Sequence, residues 1–509
     1  MKRIIALLLC LLMTATAVGC SFQEGDYIPT GDGLVYDPTE QPGRQEMTDE
    51  SFALAYYPDR SMNPYTCTDP TNRLIFSLVY QGLFAVDQKY NVTPMLCSSY
   101  TRAADMCSYS FRVEAATFSD GTVLTAEDVA ASLNTAKTST YYSGRFQHVT
   151  SIAVVADAVV IKLDTPCENL PLLLDIPIVK AAEVRTDKPL GTGPYVLDTA
   201  AQGTWLRRRQ DWWSNAAVPV TTSFITLVTA TDAKYIRDQF EYGNVSLACT
   251  DPVAADYADY RYDYELWNCE TGIFMYLVCN SRSKLFANET VRKTLTHAMD
   301  RDALVRNHFR GLARSATLPA SPQSPYYSQK LAEQYGYNSQ LFAEAVAALP
   351  EDQRNVKILV DGDDALKKDV VHSIVKMLED CGLTVKVQYE TGANYLEHLR
   401  WGSYDLYLAQ TKLSANMDLS AFFANGGALS YGGLANNGIY ALCQNALANS
   451  GNYGSLHKRI MDDGWLCPLL FRGYGVYAAR GVVSALAPAR DAVLFYTSGR
   501  TMADAYYKG

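Results

Sequence analysis

The chain has 509 residues, 48% of them hydrophobic and 19% charged, the balance of a packed globular protein with about two to four compact units and far from disorder. A formal charge of -10, with no Lys/Arg-rich run of five residues or more, leaves no electrostatic footprint for nucleic acid. Beyond residue 20 no apolar run approaches the length that spans a bilayer.

In chain order the first element is Lys2-Arg3 followed by an apolar run from Ile4 to Val18, a secretory signal too short for an ordinary spanning helix. The residues Ala17-Val18-Gly19-Cys20 resemble a bacterial lipobox, in which the cysteine thiol is diacylated and becomes the new N-terminus. Residues 1–19 are then the signal, and acyl chains on Cys20 hold the protein at the extracytoplasmic side of a cell membrane that it does not cross. Residues 20–48 are rich in Gly, Pro, Asp and Thr without a sustained apolar period, which predicts a flexible tether. Of twelve cysteines, ten remain beyond Cys10 and Cys20. No CxxC pairs occur among them, so buried small hydrophobes are favoured and any pairing stays open.

Asp120-Gly121 is a turn dipeptide, and Thr125-Ala-Glu-Asp128 is a capping-box-like helix start that puts Val129, Leu133 and Ala136 on one face. Ile152 to Leu163 predicts two β-runs about a turn at Ala156-Asp157. Gly191 and Gly193 allow backbone torsions that other residues resist, and Pro194 fixes the next one, which suits a crossing between domains. Val291 to Phe309 is helical, with a restart at Asp300 and a stop at Gly311. Val356–Val360, Leu383–Tyr389 and Tyr404–Ala409 are expected strands, separated by helices over Leu366–Cys381 and near Tyr395–Arg400. That alternation predicts an α/β unit with a parallel sheet. Asp361-Gly-Asp-Asp364 is expected to serve as turn and helix cap rather than as a metal loop.

Four blocks carry a family resemblance. Phe118-Ser-Asp-Gly-Thr-Val-Leu-Thr-Ala-Glu-Asp-Val129, Gly191-Thr-Gly-Pro-Tyr195, Val291-Arg-Lys-Thr-Leu-Thr-His-Ala-Met-Asp-Arg-Asp302 and Val79-Tyr-Gln-Gly-Leu83 resemble segments of extracellular solute-binding protein family 5. These are the dipeptide and oligopeptide receptors of ABC importers. The resemblance implies an α/β, two-lobed periplasmic-binding-protein-like fold (type II, cluster C) with an extra inserted domain. Lobe I would comprise 49–87, 189–270 and 480–509, the inserted domain 88–188, and lobe II 271–479. It further implies a monomer without a cofactor that closes its lobes on a peptide or other small solute. Its partners would be the permease and ATPase of the transporter and, through Cys20, the lipid bilayer.

Site residues follow from the same resemblance. The family's ligand loop matches Asn63-Pro64 and implies Thr68 and Asp69 near the solute. Its aromatic contact from the inserted domain falls on Tyr141-Tyr142, and its strand beside the ligand backbone matches Tyr404 to Leu413, which includes Thr411 and Lys412. Asn416 lies in the loop that follows, and Trp401, Arg472 and Tyr474 lie in segments that border the family cleft. In peptide-binding relatives an aspartate beyond that strand pairs with the ligand α-ammonium, but here the position falls on Ser414 or Ala415. Asp418 matches a different, downstream acidic position and substitutes only if the loop is rebuilt. Lys412, if it points inward, would favour a carboxylate or a neutral group over a free amine.

No HExxH or GxSxG motif occurs, and His297 is expected to be a packed or solvated helix residue rather than a base. The expectation is therefore a binding protein and no enzyme. A surface hydrolase and a receptor that senses a non-peptide ligand stay open as alternatives.

Overall fold

The computed structural model describes residues 52–490 apart from 217–219, 221, 262, 483–485 and 487. The signal, Cys20, the tether and segment 491–509 lie outside the described residues. Strands in chain order are β1 (Ala53–Tyr56), β2 (Phe84–Val86), β3 (Val92–Pro94), β4 (Cys97–Arg102), β5 (Ser108–Val113), β6 (Val149–Val155), β7 (Ala158–Leu163), β8 (Tyr195–Ala200), β9 (Gly203–Arg208), β10 (Phe224–Thr229), β11 (Leu247–Thr250), β12 (Tyr264–Cys279), β13 (Ala313–Ser315), β14 (Asn355–Asp361), β15 (Thr384–Glu390), β16 (Leu406–Lys412) and β17 (Leu466–Ala479). β2 and β3 form a hairpin, and β4-β5-β7-β6 form a four-stranded antiparallel sheet. All the others join one 11-stranded sheet, ordered β15-β14-β16-β12-β17-β11-β1-β10-β9-β8 with β13 beside β17.

Two strands in the middle of that sheet carry the architecture. β12 and β17 have 16 and 14 residues, far beyond the usual five or so. One half of β12, Tyr264–Glu270, pairs with Gly473–Ala479 next to β11, whereas Phe274–Val278 pairs with Leu466–Phe471 next to β16. Between the halves, Thr271, Gly272 and Ile273 stand opposite Arg472, a bulge that bends the strand and concentrates twist. Gly272 has φ +73°, a left-handed conformation that costs a residue with a Cβ.

Local expectations are met where a cap or turn decides them. Thr125 caps the helix Ala126–Thr138 with the full reciprocal box to Asp128, and Val129, Leu133 and Ala136 are fully buried. The β6–β7 turn has Ala156 and Asp157 at φ 47° and 60°, a hairpin turn whose twist suits its strands. Asp300 caps the helix Arg301–His308, and Asp364 caps Ala365–Asp380. β14 pairs in parallel with both β15 and β16, as the α/β alternation predicts. Nine of the ten cysteines are buried, and all ten are free thiols.

Gly191 and Gly193 require a correction. Neither has a positive φ; instead a Cβ on either would run into the backbone of Leu78 and Val79. The glycines let the segment press against the end of the helix Pro70–Val79, where the Gly193 amide donates to the Val79 carbonyl (2.9 Å). Close approach, not torsional freedom, selects them. Among the described residues no helix is long and apolar enough to cross a membrane.

Candidate functional site

Side chains from separate parts of the chain converge on the Tyr141 ring. Arg73 projects from the first turn of the helix Pro70–Val79, which starts where Asp69 accepts from the Thr71 and Asn72 amides (3.0 and 3.1 Å). Its guanidinium lies 3.5 Å from the Tyr141 centroid. The Lys412 ammonium, at the end of β16, lies 3.7 Å from the same centroid. Both cations are attracted by the negative face of the ring. Arg73 is oriented by donating to the Cys67 carbonyl (2.9 Å) and to the Tyr142 hydroxyl (2.8 Å).

A polar chain runs from β16 towards this cluster. Gln410 donates to Asp364 (3.1 Å) and accepts from Arg472 (3.1 Å), and Arg472 donates to Asp251 (2.7 Å). Arg472 therefore occupies the residue opposite the β12 bulge while pairing with an acid just past β11. Half-buried Tyr474 follows on the same strand; burial raises its phenol pKa, and Asp251 adds to the rise. Arg73, Lys412 and Arg472 thus bring three cationic side chains to this region, with the carboxylates of Asp251 and Asp364 on the same polar chain.

The edge of β16 supplies a second kind of recognition. β12 covers it from Leu406 to Lys412, but β14 pairs only with Leu406 and Tyr407. Among the described residues, Leu408–Lys412, including Thr411, therefore have a ladder partner on one side only. A strand edge of this kind is a template for an extended backbone.

Several predicted site residues are placed differently. Tyr142 is 1% exposed and packs in the core, so it presents no ring surface and acts by holding Arg73. Asp69 is consumed as a helix cap and ion-paired to Arg60, while Thr68 beside it is exposed. Trp401 is 71% exposed at the end of the helix Gly392–Trp401 and joins none of the other candidates. Asn416 is buried; its side chain accepts from Ser414 (2.7 Å), and its carbonyl accepts from Tyr453.

Asp418 departs furthest from expectation. Its carboxylate takes the Ser420 amide (2.8 Å), a proton donor from His148 Nε2 (3.0 Å) and the Gln147 amide. The other His148 nitrogen meets Asp164 (3.0 Å). Burial opposes a charge on His148, but the bonds and charges of Asp418 and Asp164 outweigh it and raise its pKa above the ordinary 6.5. Asp418, the downstream acid that would hold a solute amine only in a rebuilt loop, here forms a latch between the β6 end of the four-stranded sheet and the loop after β16. Glu168 repeats the theme close by: its amide donates to the Leu447 carbonyl (2.8 Å), and its carboxylate accepts from the Ser450 amide (2.9 Å).

Sequence reasoning missed Arg73, Asp251, Gln410 and His148. Arg73 is signalled only by its position one turn after the Asp69-Pro70 helix start. Asp251 and Gln410 carry no local pattern, because their partner Arg472 is far away in sequence. Among the described residues no group of three or more potential metal ligands is found.

Comparison with known proteins agrees with this architecture. The chain is 28% identical over 306 residues to the glutathione-binding protein GsiB of Escherichia coli K12, a match covering 54% of this chain and 59% of that protein. The chain thus spans little more than half the length of that curated relative. Among solved structures, NikA from Brucella suis in complex with Fe(III)-EDTA superposes with a TM-score of 0.67 at 20% identity, covering 87% of this chain and 97% of that one. The oligopeptide-binding protein AppA from Bacillus subtilis, in complex with a nonapeptide, gives 0.58 at 20% identity, over 86% and 96%. Both likenesses show the two-lobed fold. The model of the bacterial extracellular solute-binding proteins, family 5, matches residues 91–429, and with more than half of its length inside that match the chain belongs to this family.

Proposed function

We propose that the chain is the solute receptor of an ABC importer, held on the outer side of a bacterial cell membrane by an acylated Cys20 and tethered by residues 20–48. It captures a peptide or related small solute as a monomer and passes it to the permease and ATPase. The observation that carries this reading is the open edge of Leu408–Lys412, which ends on a ring shared with Arg73. An extended solute adds its backbone to that edge, and its carboxylate meets the cations. Relatives that bind glutathione and a nonapeptide support a peptide-like cargo.

The lobes are lobe I (49–87, 189–270 and the C-terminal segment) and lobe II (from 271), with 88–188 inserted. The bulge at Thr271–Ile273 serves as the hinge, with the return crossing opposite it at Arg472; the pairing of Gly475–Ala478 with β11 supports assigning those residues to lobe I. Solute closes the hinge in proportion to its extra contacts in the closed state. That the relatives are solute-binding proteins supports a binding protein over an enzyme. Mass spectrometry of co-purified ligand, followed by thermal stabilisation with that ligand and with N-acetylated and C-amidated peptides, tests the reading. Stabilisation by the amidated form equal to that by the free acid would remove the cationic site, and a Cys20→Ser variant that stays in the membrane fraction would remove the anchor.

A further inference from the structure

Away from the Tyr141 cluster lies a cavity of about 530 Å³, within the size range of small-molecule sites. Its walls come from three stretches: the β2–β3 hairpin, the β4 and Glu168–Leu172 region, and the later stretches around Tyr326 and Ser450. Four aromatic rings line it, those of Phe84, Tyr90, Tyr100 and Tyr326. Glu168 supplies the single formally charged side chain in the lining, which contains no Lys, Arg or His among the described residues.

The rings are held in place. Tyr90 sits in a left-handed turn at φ 65° and donates to the buried Glu270 carboxylate (2.9 Å). Tyr326 stacks on Tyr453 at 4.3 Å and accepts from the Asn169 amide (3.3 Å). Tyr100 stands edge-on to Phe84 at 5.7 Å and is 46% exposed, more than its neighbours in the wall need. The Glu168 carboxylate has the Ser450 amide as a donor and, among the described residues, no ion-pair partner; Arg102 binds the Glu168 carbonyl (3.2 Å). A carboxylate has about four acceptor positions, so others remain for a ligand.

Aromatic rings and a carboxylate without an ion-pair partner around one cavity are the chemistry that selects organic cations: the rings offer π surface and apolar area, the acid a counter-charge. We infer that this cavity is a second ligand site, separate from the solute site, that takes a small organic ammonium carrying an aromatic or alkyl group. Because Tyr100 and Glu168 lie on one side of the His148–Asp418 contact and Tyr326 and Ser450 on the other, an occupant bridges the two sides and favours their apposition.

The test is calorimetry on the protein with phenethylammonium and, as its charge-reversed counterpart, 3-phenylpropionate. Wild type binds phenethylammonium at least tenfold more tightly. Glu168→Gln, which keeps an acceptor for the Ser450 amide, abolishes that preference, whereas Tyr100→Ala, at an exposed ring, weakens both probes. Arg472→Gln leaves phenethylammonium affinity unchanged, which separates this site from the solute site and makes its failure distinguishable from failure of the receptor reading. Equal affinity for the two probes, no binding of phenethylammonium, or its loss in Arg472→Gln overturns the proposal. Should Glu168→Gln fail to fold, the wild-type preference together with Tyr100→Ala decides the matter.

Discussion

Two clusters of charge, one of arginine and lysine around the Tyr141 ring and one of histidine and carboxylates around Asp418, are built in different ways. At Asp418 a side chain 2% exposed is enclosed by His148, Gln147 and a backbone amide, so its charge is answered within the protein. At Tyr141 two cations share one ring, and a third is balanced by Asp251. A buried charge answered by hydrogen bonds holds structure together, whereas cations held on a ring face at the end of a half-paired strand are the feature on which the proposed solute site rests. The acidic position closest to the family's amine anchor belongs to the first kind.

The largest effect expected from breaking this contrast is Asp418→Ala, which leaves His148, Gln147 and the Ser420 amide without their acceptor. Loss of one partner from a buried charged network costs about 3 kcal/mol, visible as a lower urea midpoint. A stability change below about 0.5 kcal/mol, typical of surface positions, would show the latch to be idle. Arg73→Met comes next. It removes a charge-assisted contact to a solute carboxylate and lowers affinity by about 2 kcal/mol, or roughly thirtyfold, with little change in affinity for the C-amidated ligand.

The third prediction concerns pH. The folded pKa of His148 is raised, so the stability it contributes is fully present below its unfolded value near 6.5 and is lost as pH rises through the folded pKa. Apposition followed by scattering therefore weakens as pH rises through that raised value, and His148→Gln flattens that dependence. His457 supplies the opposite sign: buried without a hydrogen-bond partner, it has its pKa pushed down to about 3. Its neutral form is favoured by the fold, so stability is lost as pH falls below about 6.5, and His457→Leu lessens the acid sensitivity. Equal profiles for wild type and both variants would show that neither histidine governs the response. The smallest effect is Trp401→Ala, within about 0.5 kcal/mol in stability and without loss of solute affinity, because the indole stands in solvent.

Much of the fold is legible locally. Thr125 with Asp128, Asp300, Asp364 and the Ala156-Asp157 turn each specify a backbone event within a few residues, and each forms where expected. The parallel β14, β15 and β16 unit is also readable, since helices between strands compel crossover connections. The site is less so. Lys412 is identified from its strand, yet the second cation on its ring, Arg73, enters from a helix near residue 70. Tyr141 and Tyr142 are indistinguishable as a dipeptide, and only packing turns one towards the cations and the other into the core.

By itself the sequence determined the caps, turns, strand and helix alternation and family membership, because those depend on torsional preference, hydrogen bonding and apolar period over short stretches. Only the tertiary structure decided that Asp418 is a latch, that Gly191 and Gly193 serve close approach, and that Arg472 stands opposite the bulge with Asp251 as its partner. The physical reason is range. A carboxylate becomes anchor or latch according to which side chains burial brings within about 3 Å of it, and those partners, at His148 for Asp418 and at Asp251 for Arg472, lie hundreds of residues away along the chain.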